Sequence, residues 1–220
     1  MGKTYRSLQQ WNLWLQRPEG QSVLHLENRI LRQFPASLMR GRYGVLIGVP
    51  QQQGLLKDYS LMHQAIFSPI RGQVEQGNLI ESDLGELPIG SGSADLVLLP
   101  HTLEYMSRPH HLLAEACRIV RPAGHIIVTG FHPLSRWGFR KFLLRDKTIP
   151  FRATFLSPHR IRHWLDLSDF VLDEAAPHRL FSSIYALVAE ARVTPGTPIR
   201  LRWKQTLPAF RATLAGPSIR

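Results

Sequence analysis

Three short polar segments of this chain each follow an apolar run, and each is rich in groups that can bind or react. They are Gly48-Val-Pro50-Gln-Gln-Gln-Gly54, Glu81-Ser82-Asp83-Leu84 and Pro100-His101-Thr-Leu103-Glu104. In doubly wound α/β sheets, ligands bind beyond the carboxyl ends of the strands, where strand order reverses. A glycine such as Gly48 lets the backbone approach a ligand closely. Asp83 offers a carboxylate that accepts hydrogen bonds from a ligand amine, and its position suits a turn as well. His101 is a candidate base, because imidazole titrates near neutrality; the other reading is a histidine packed at a strand end. His132 is a second candidate base, following His125-Ile-Ile-Val-Thr129. With Phe131, Pro133 and Trp137 it would face a substrate, unless His132-Pro133 is only a loop start. Glu104 suits capping or pairing. Asp95 opens its strand, far from the ligand edge, and reads as structural. His110-His111 fall on the first turn of a helix with no third ligand at useful spacing, so no metal site is expected.

The elements that must position these groups follow from periodicity. Val45-Leu-Ile-Gly-Val49 is a short buried strand, and Ala94-Asp-Leu-Val-Leu-Leu99 is a continuous apolar strand of the kind covered on both faces. Ala65-Ile-Phe67 and Leu79-Ile80 suit two further strands. Between Ala94 and Gly130, strand, helix and strand imply a right-handed parallel crossover. Ser107 is the expected helix cap, with Pro109 in the first turn. Leu112, Leu113, Ala116, Ile119 and Val120 form its buried stripe, and Pro122 and Gly124 are expected to stop it. Ser157-Pro158 opens a helix through Trp164. Phe170 to Ala175 and Ser183 to Ala191 read as closing strands. Upstream, Trp11 to Met39 reads as two helical pieces broken at Pro18 and Gly20. Trp11 and Trp14 serve as packing anchors, and Val23, Leu24, Glu27, Ile30, Leu31 and Phe34 fall at helical spacing.

With 220 residues, the chain is long enough for one domain with terminal additions. One cysteine, Cys117, excludes an internal disulfide and fits a reducing, cytoplasmic setting. The start lacks the apolar core of a secretory signal. No run approaches the roughly 18–20 apolar residues of a spanning helix. The 27 Lys and Arg outnumber the 16 Asp and Glu, giving a formal net charge of +11. The excess is concentrated: residues 136–162 hold eight Lys or Arg against Asp146, and residues 191–220 hold six and no acid. Such segments serve either as a solubilising surface or as a site for a polyanion.

Three blocks carry a resemblance. Asp83-Leu-Gly-Glu-Leu-Pro-Ile, Ser93-Ala-Asp-Leu-Val-Leu-Leu-Pro-His-Thr-Leu-Glu-Tyr105 and Arg118-Ile-Val-Arg-Pro-Ala-Gly-His-Ile-Ile-Val128 resemble, in order and spacing, the core of class I S-adenosylmethionine (SAM)-dependent methyltransferases. The branch typified by ubiquinone and menaquinone biosynthesis is the most similar. The resemblance spans residues 41–192. It implies a Rossmann-like α/β fold: a doubly wound, mostly parallel seven-stranded sheet with an antiparallel closing strand and helices on both faces. Residues 1–40 would be a helical segment packed on this domain, and 193–220 a basic tail. Trp11-Asn-Leu-Trp14, Pro18-Glu-Gly20, Glu27 and Thr129-Gly-Phe-His-Pro-Leu-Ser-Arg-Trp-Gly138 resemble a small group of uncharacterised proteobacterial methyltransferase-like proteins. The implied cofactor is S-adenosyl-L-methionine. Ser82, Asp83 and Leu84 would hold its adenine, Pro100, His101 and Leu103 its methionine part, and Gly48 and Pro50 its backbone-facing loop.

Two motifs depart from the family pattern. Pro50 and Gln52 stand where the second and third glycines of the first motif belong, and Leu46 where its acid belongs. Ser68-Pro69 stands where a ribose-gripping acid ends the second strand. Proline fixes φ and lacks an N–H, so the loop must be shaped differently. Transfer from a sulfonium relies mainly on alignment, and a base helps only where the acceptor must lose a proton. Three expectations follow: a methyltransferase acting on a small molecule, a quinone-like lipid or nucleic acid; a methyltransferase-fold scaffold with weakened SAM binding; or a basic RNA-binding relative.

Overall fold

The apolar runs read above become the strands of one sheet. A computed structural model describes residues 2–35, 40–72, 78–135, 152–173 and 183–193. The strands are β1 (Arg40–Ile47), β2 (Ser60–Ser68), β3 (Asn78–Glu81), β4 (Ala94–Pro100), β5 (Val120–Phe131), β6 (Phe170–Leu172) and β7 (Ile184–Ala191). They lie in the order β3-β2-β1-β4-β5-β7-β6. Neighbouring strands are parallel except at β7, which runs antiparallel to both β5 and β6. This is the Rossmann-like seven-stranded sheet that the sequence implied, with its antiparallel closing strand.

The chain winds outward from β1 through β2 to β3, then returns to lay β4 on the other side of β1. Strand order therefore reverses between β1 and β4. In register, Val45 sits beside Val97 and Leu46 beside Leu98, so the two strand ends open side by side. All residues of β4 except Asp95 are buried, as a doubly covered central strand requires.

Helices α1 (Gly2–Leu15), α2 (Pro18–Leu31), α3 (Pro109–Ile119) and α4 (Pro158–Asp166) complete the described architecture. The β1–β2 connection carries a 3₁₀ turn over Pro50–Leu56. Helices α1 and α2 belong to the same core as the sheet, through Leu8, Trp11, Leu15, Val23 and Leu31.

Several local expectations are corrected. Gly20 does not break α2 but lies inside it: a Cβ there would come within 2.3 Å of the Trp14 carbonyl oxygen, so glycine permits the tight α1–α2 approach. The N-cap of α3 is Arg108 rather than Ser107, and no side chain caps it. That helix ends at Ile119 because Val120 takes extended backbone, and Pro122 and Gly124 lie within β5. Strand β2 is longer than Ala65–Phe67, since its first half mixes Leu61 and Met62 with Ser60, His63 and Gln64, is exposed or half-buried and carries little apolar pattern. The Ser157 hydroxyl does cap α4, accepting the Arg160 N–H. Trp137, the stretch 136–151 and the tail from 194 lie outside the described residues.

Candidate functional site

At the end of β1, the chain leaves the sheet through Gly48, Val49 and Pro50. Gly48 N–H donates to Phe67 O at 3.0 Å, tying the loop to β2. The carboxamide of Gln52 then fills the loop. Its Oε1 accepts from Val49 N–H at 3.0 Å, and its Nε2 donates to Pro100 O at 2.8 Å. A Cβ on Gly48 would meet that Oε1 at 2.5 Å. Thr102 reinforces the bridge by donating from Oγ1 to Ile47 O at 2.6 Å. The crevice between β1 and β4 is thus spanned by two buried side chains of this chain, and Leu46, in the place of the expected acid, lies in the core.

At the end of β4, His101 adopts left-handed backbone, with φ of 54°. This region is sparsely populated by residues with a side chain, and such strain concentrates at functional sites. The turn over Thr102–Tyr105 that follows aims Glu104 back at the histidine. His101 Nδ1 lies 2.8 Å from Glu104 Oε2, while Glu104 Oε1 accepts the Phe131 N–H at 2.9 Å. The carboxylate therefore acts as an acceptor on both oxygens. The network assigns the proton to Nδ1 and leaves Nε2 as the lone-pair nitrogen of a neutral ring.

Facing Nε2 is Glu27 of α2, its Oε1 at 3.4 Å, an ion-pair distance without hydrogen-bond alignment. The same oxygen receives Thr129 Oγ1–H at 2.5 Å. His101 and Glu27 are fully buried. Burial pushes Glu27 above the ordinary carboxylate range, against the pull of His101 and the Thr129 bond. Burial likewise holds His101 below the usual imidazole value, with Glu27 opposing. Aromatic rings enclose the cluster: Phe131 at 4.1 Å and Trp11 at 5.4 Å from the His101 ring, and Tyr105 at 5.1 Å from Trp11.

The structure divides the expected site residues into two groups. Ser82, Asp83 and Leu84 line a cavity of about 980 Å³ that reaches Tyr5 of α1, Arg71 after β2 and Arg108 before α3. Asp83 Oδ1 accepts the Gly85 N–H at 3.0 Å, so the residue forms a turn and lines the cavity at once. Gly48, Pro50, Pro100, His101 and Leu103 instead lie in the buried wall beneath α1 and α2. His132 is half-buried past β5, its Nδ1 accepting the Leu134 N–H at 3.2 Å, and does not line the cavity. At the end of β2, Ser68 closes a turn by accepting the Ile70 N–H, and Arg71 pairs with Glu81 at 2.7 Å across the cavity rim.

Asp95 sits at the opposite end of β4, where it accepts the N–H groups of Arg42 and Tyr43 and pairs with Arg121. His110 and His111 are exposed, and among the described residues no group of three His, Cys, Asp or Glu is placed to hold a metal ion. Sequence reasoning missed Glu27 as a site residue. The signal was present, because a glutamate stands among Val23, Ile30 and Leu31 on the apolar face of α2, where an acid needs a reason to be.

Comparison with known proteins fits this geometry. Residues 62–128 match the sequence model described as "Methyltransferase domain". A stretch of 92 residues is 36% identical to the uncharacterized protein YafS of Escherichia coli K12, covering 41% of this chain and 38% of that protein. The chain thus spans well under half the length of that relative. A chain of the Haloferax volcanii complex containing the Trm112 methyltransferase activator superposes with a TM-score of 0.63, at 14% identity, over 83% of this chain and 98% of that one. A SAM-dependent methyltransferase of Thermotoga maritima gives 0.62 at 16% identity, covering 85% and 100%. The [4+2]-cyclase SpnF gives 0.56 at 12% identity, covering 78% and 81%. The fold is shared by all three structures.

Proposed function

We propose that the protein is a SAM-dependent methyltransferase, on the strength of a methyltransferase-domain match over residues 62–128 and a sheet shared with methyltransferase structures. The carrying observation is the cavity beside Asp83 and Leu84, at the carboxyl end of β3, which has room for the adenosine half of the donor. Asp83 would accept from the exocyclic amine of adenine, with Leu84 against the ring. Glu81, paired with Arg71, supplies a carboxylate at the cavity rim where β2 itself ends in Ser68. Gly48, Pro50, Pro100, His101 and Leu103 would flank the methionine half. When bound, SAM supplies an electrophilic methyl on a cationic sulfur; the chain's part is to align the acceptor with it and exclude water. His132, past the end of β5, would stand on the acceptor side.

The residues fit the donor unequally. The adenosine side is open, whereas the Gln52 carboxamide occupies the cradle that Gly48 would offer. Binding therefore includes displacement of Gln52 from Pro100 O. Calorimetry with SAM and S-adenosylhomocysteine tests the reading; no heat and no thermal shift at saturating cofactor would refute it. The Gln52 bridge also favours a second reading, a scaffold whose donor site has closed. Micromolar binding by the unmodified protein would dismiss that alternative.

The acceptor is a small molecule, a quinone-like lipid or a nucleic acid. The basic segments 136–162 and 191–220 supply the charge for a polyanionic partner, and Arg152, Arg160 and Arg162 are exposed. Among the described residues no helix is long and apolar enough to cross a membrane. We place the protein in the cytoplasm, in keeping with its single cysteine, Cys117, whose thiol burial pushes up to about 12.

A further inference from the structure

We propose that the buried Glu27–His101–Glu104 cluster is a proton-accepting site and that the methyl acceptor is an aromatic hydroxyl. The inference deepens the methyl-transfer reading and rests on it. Four fully or nearly buried polar atoms meet here without a hydrogen-bond partner among the described residues: Trp11 Nε1, Glu27 Oε2, His101 Nε2 and Tyr105 OH. Buried polar atoms are almost always paired, and exceptions need a cause. Ring contacts place three of them together: Trp11 touches both His101 and Tyr105. Glu27 Oε1 is 3.4 Å from His101 Nε2. The cluster lies at the end of β4 beside the strand-order switch, where this architecture presents ligands.

The chemistry follows from orientation. Glu104 holds Nδ1–H and so leaves the Nε2 lone pair on the side of Glu27, with the Trp11 ring tilted against the imidazole. A base oriented by a carboxylate is the arrangement that removes a proton from a hydroxyl. A neutral amine attacks a sulfonium methyl without such help, so an oriented base points to an O–H acceptor. The walls choose the kind of hydroxyl. Trp11, Tyr105, Phe131 and Phe155 are aromatic, and Phe155 lies 5.1 Å from Phe131. A flat ring stacks well among such partners. In the step, the phenolic O–H bond breaks and its proton goes to His101 Nε2. The oxygen pair forms the O–CH₃ bond while the C–S bond breaks, its electron pair returning to sulfur as a neutral thioether. The resulting imidazolium is flanked by Glu104 and Glu27. Tyr105 from the turn, Thr129 from β5 and Tyr185 from β7 are further polar groups about the cluster among the described residues. Helix α1 lays Trp11 over it.

The test uses para-nitrophenol, whose phenolate absorbs in the visible. The full-length protein is titrated below the phenol's own pKa, alone and with S-adenosylhomocysteine. We expect the bound probe to show the phenolate band, His101→Asn to abolish that band, and Glu104→Gln to weaken it. In methylation of a phenol panel, His101→Asn should lower kcat by about a hundredfold to ten-thousandfold with little change in KM. Binding without ionisation, ionisation that survives His101→Asn, or absence of binding by the unmodified protein would overturn the proposal. The first and last need no variant, so misfolding of a variant does not shelter it. SAM affinity measured separately keeps the two readings apart: phenol ionised without SAM binding would overturn the methyl-transfer reading, and the assignment of the acceptor with it, while leaving the proton-accepting site.

Discussion

Replacing Gln52 by Ala should weaken the fold and strengthen cofactor binding together. The carboxamide is fully buried and makes two hydrogen bonds, from Val49 N–H and to Pro100 O. Truncation leaves the buried Val49 N–H unmade, at about 1–3 kcal/mol, and takes from Pro100 O one of its two side-chain donors, the other being Thr102 Oγ1 at 3.2 Å, at about 1 kcal/mol. A total near 3 kcal/mol lowers the melting temperature by roughly 6–12 °C for a protein of this size. A ligand that reaches into the vacated cradle and pairs with those groups recovers that loss on binding. Each 1.36 kcal/mol recovered is tenfold in affinity, so Gln52→Ala should bind SAM about 10- to 100-fold more tightly than the parent. Calorimetry gives the affinity and scanning fluorimetry the melting temperature, with Gln52→Glu as a variant that keeps the bulk. If Gln52→Ala melts lower yet binds SAM no better, Gln52 does not occupy donor space and the two-sided account of the site is wrong.

Trp11→Ala should cost about 3–5 kcal/mol in urea unfolding, because a fully buried tryptophan is removed from beneath α1. Glu27 and His101 give opposite slopes of stability against pH. Glu27 is raised, so its contribution is complete below its ordinary value of 4.5 and is lost as pH rises through the higher folded value. His101 is lowered, so its contribution is present above 6.5 and is lost as pH falls through the lower folded value. Glu27→Gln should remove the loss on the alkaline side, read from urea midpoints across pH; an unchanged profile would contradict the burial argument. Asp95→Asn should destabilise by about 1–3 kcal/mol while leaving SAM affinity intact, since its partners lie at the far end of β4. If the basic segments hold RNA, retention on an RNA column should fall steeply with added salt; salt-independent retention would argue against phosphate contacts.

The central unit was the most legible part of the sequence. The strand from Ala94, the helix stripe from Leu112 and the strand through Thr129 are continuous or periodic enough to read directly, because both faces of a parallel sheet are covered and polar residues are excluded. The sheet's margins were harder. The first half of β2 alternates little and is largely exposed, so burial there left no pattern to find. The site was half legible. Position at strand ends pointed to Asp83 and His101, but the sequence separates Glu27 from His101 by more than seventy residues, and no local pattern announces their meeting. Gln52 was readable as a missing glycine, yet its bond across to β4 arises only from the fold.

The contact between Glu27 and Thr129 joins residues 102 positions apart. During synthesis α1 and α2 emerge first, carrying apolar faces whose partners on β4, β5 and β7 are still unmade. Those faces must wait for most of the chain, and the closure that finally covers them is among the most entropically demanding in the molecule. Trp11 and Glu27 are therefore buried late in folding, and the histidine cluster they complete exists only after the sheet has closed. If Asp83 and His101 carry the proposed roles, a half-folded chain would hold the first without the cluster that surrounds the second, and chemistry would wait on the closure of the long-range contacts.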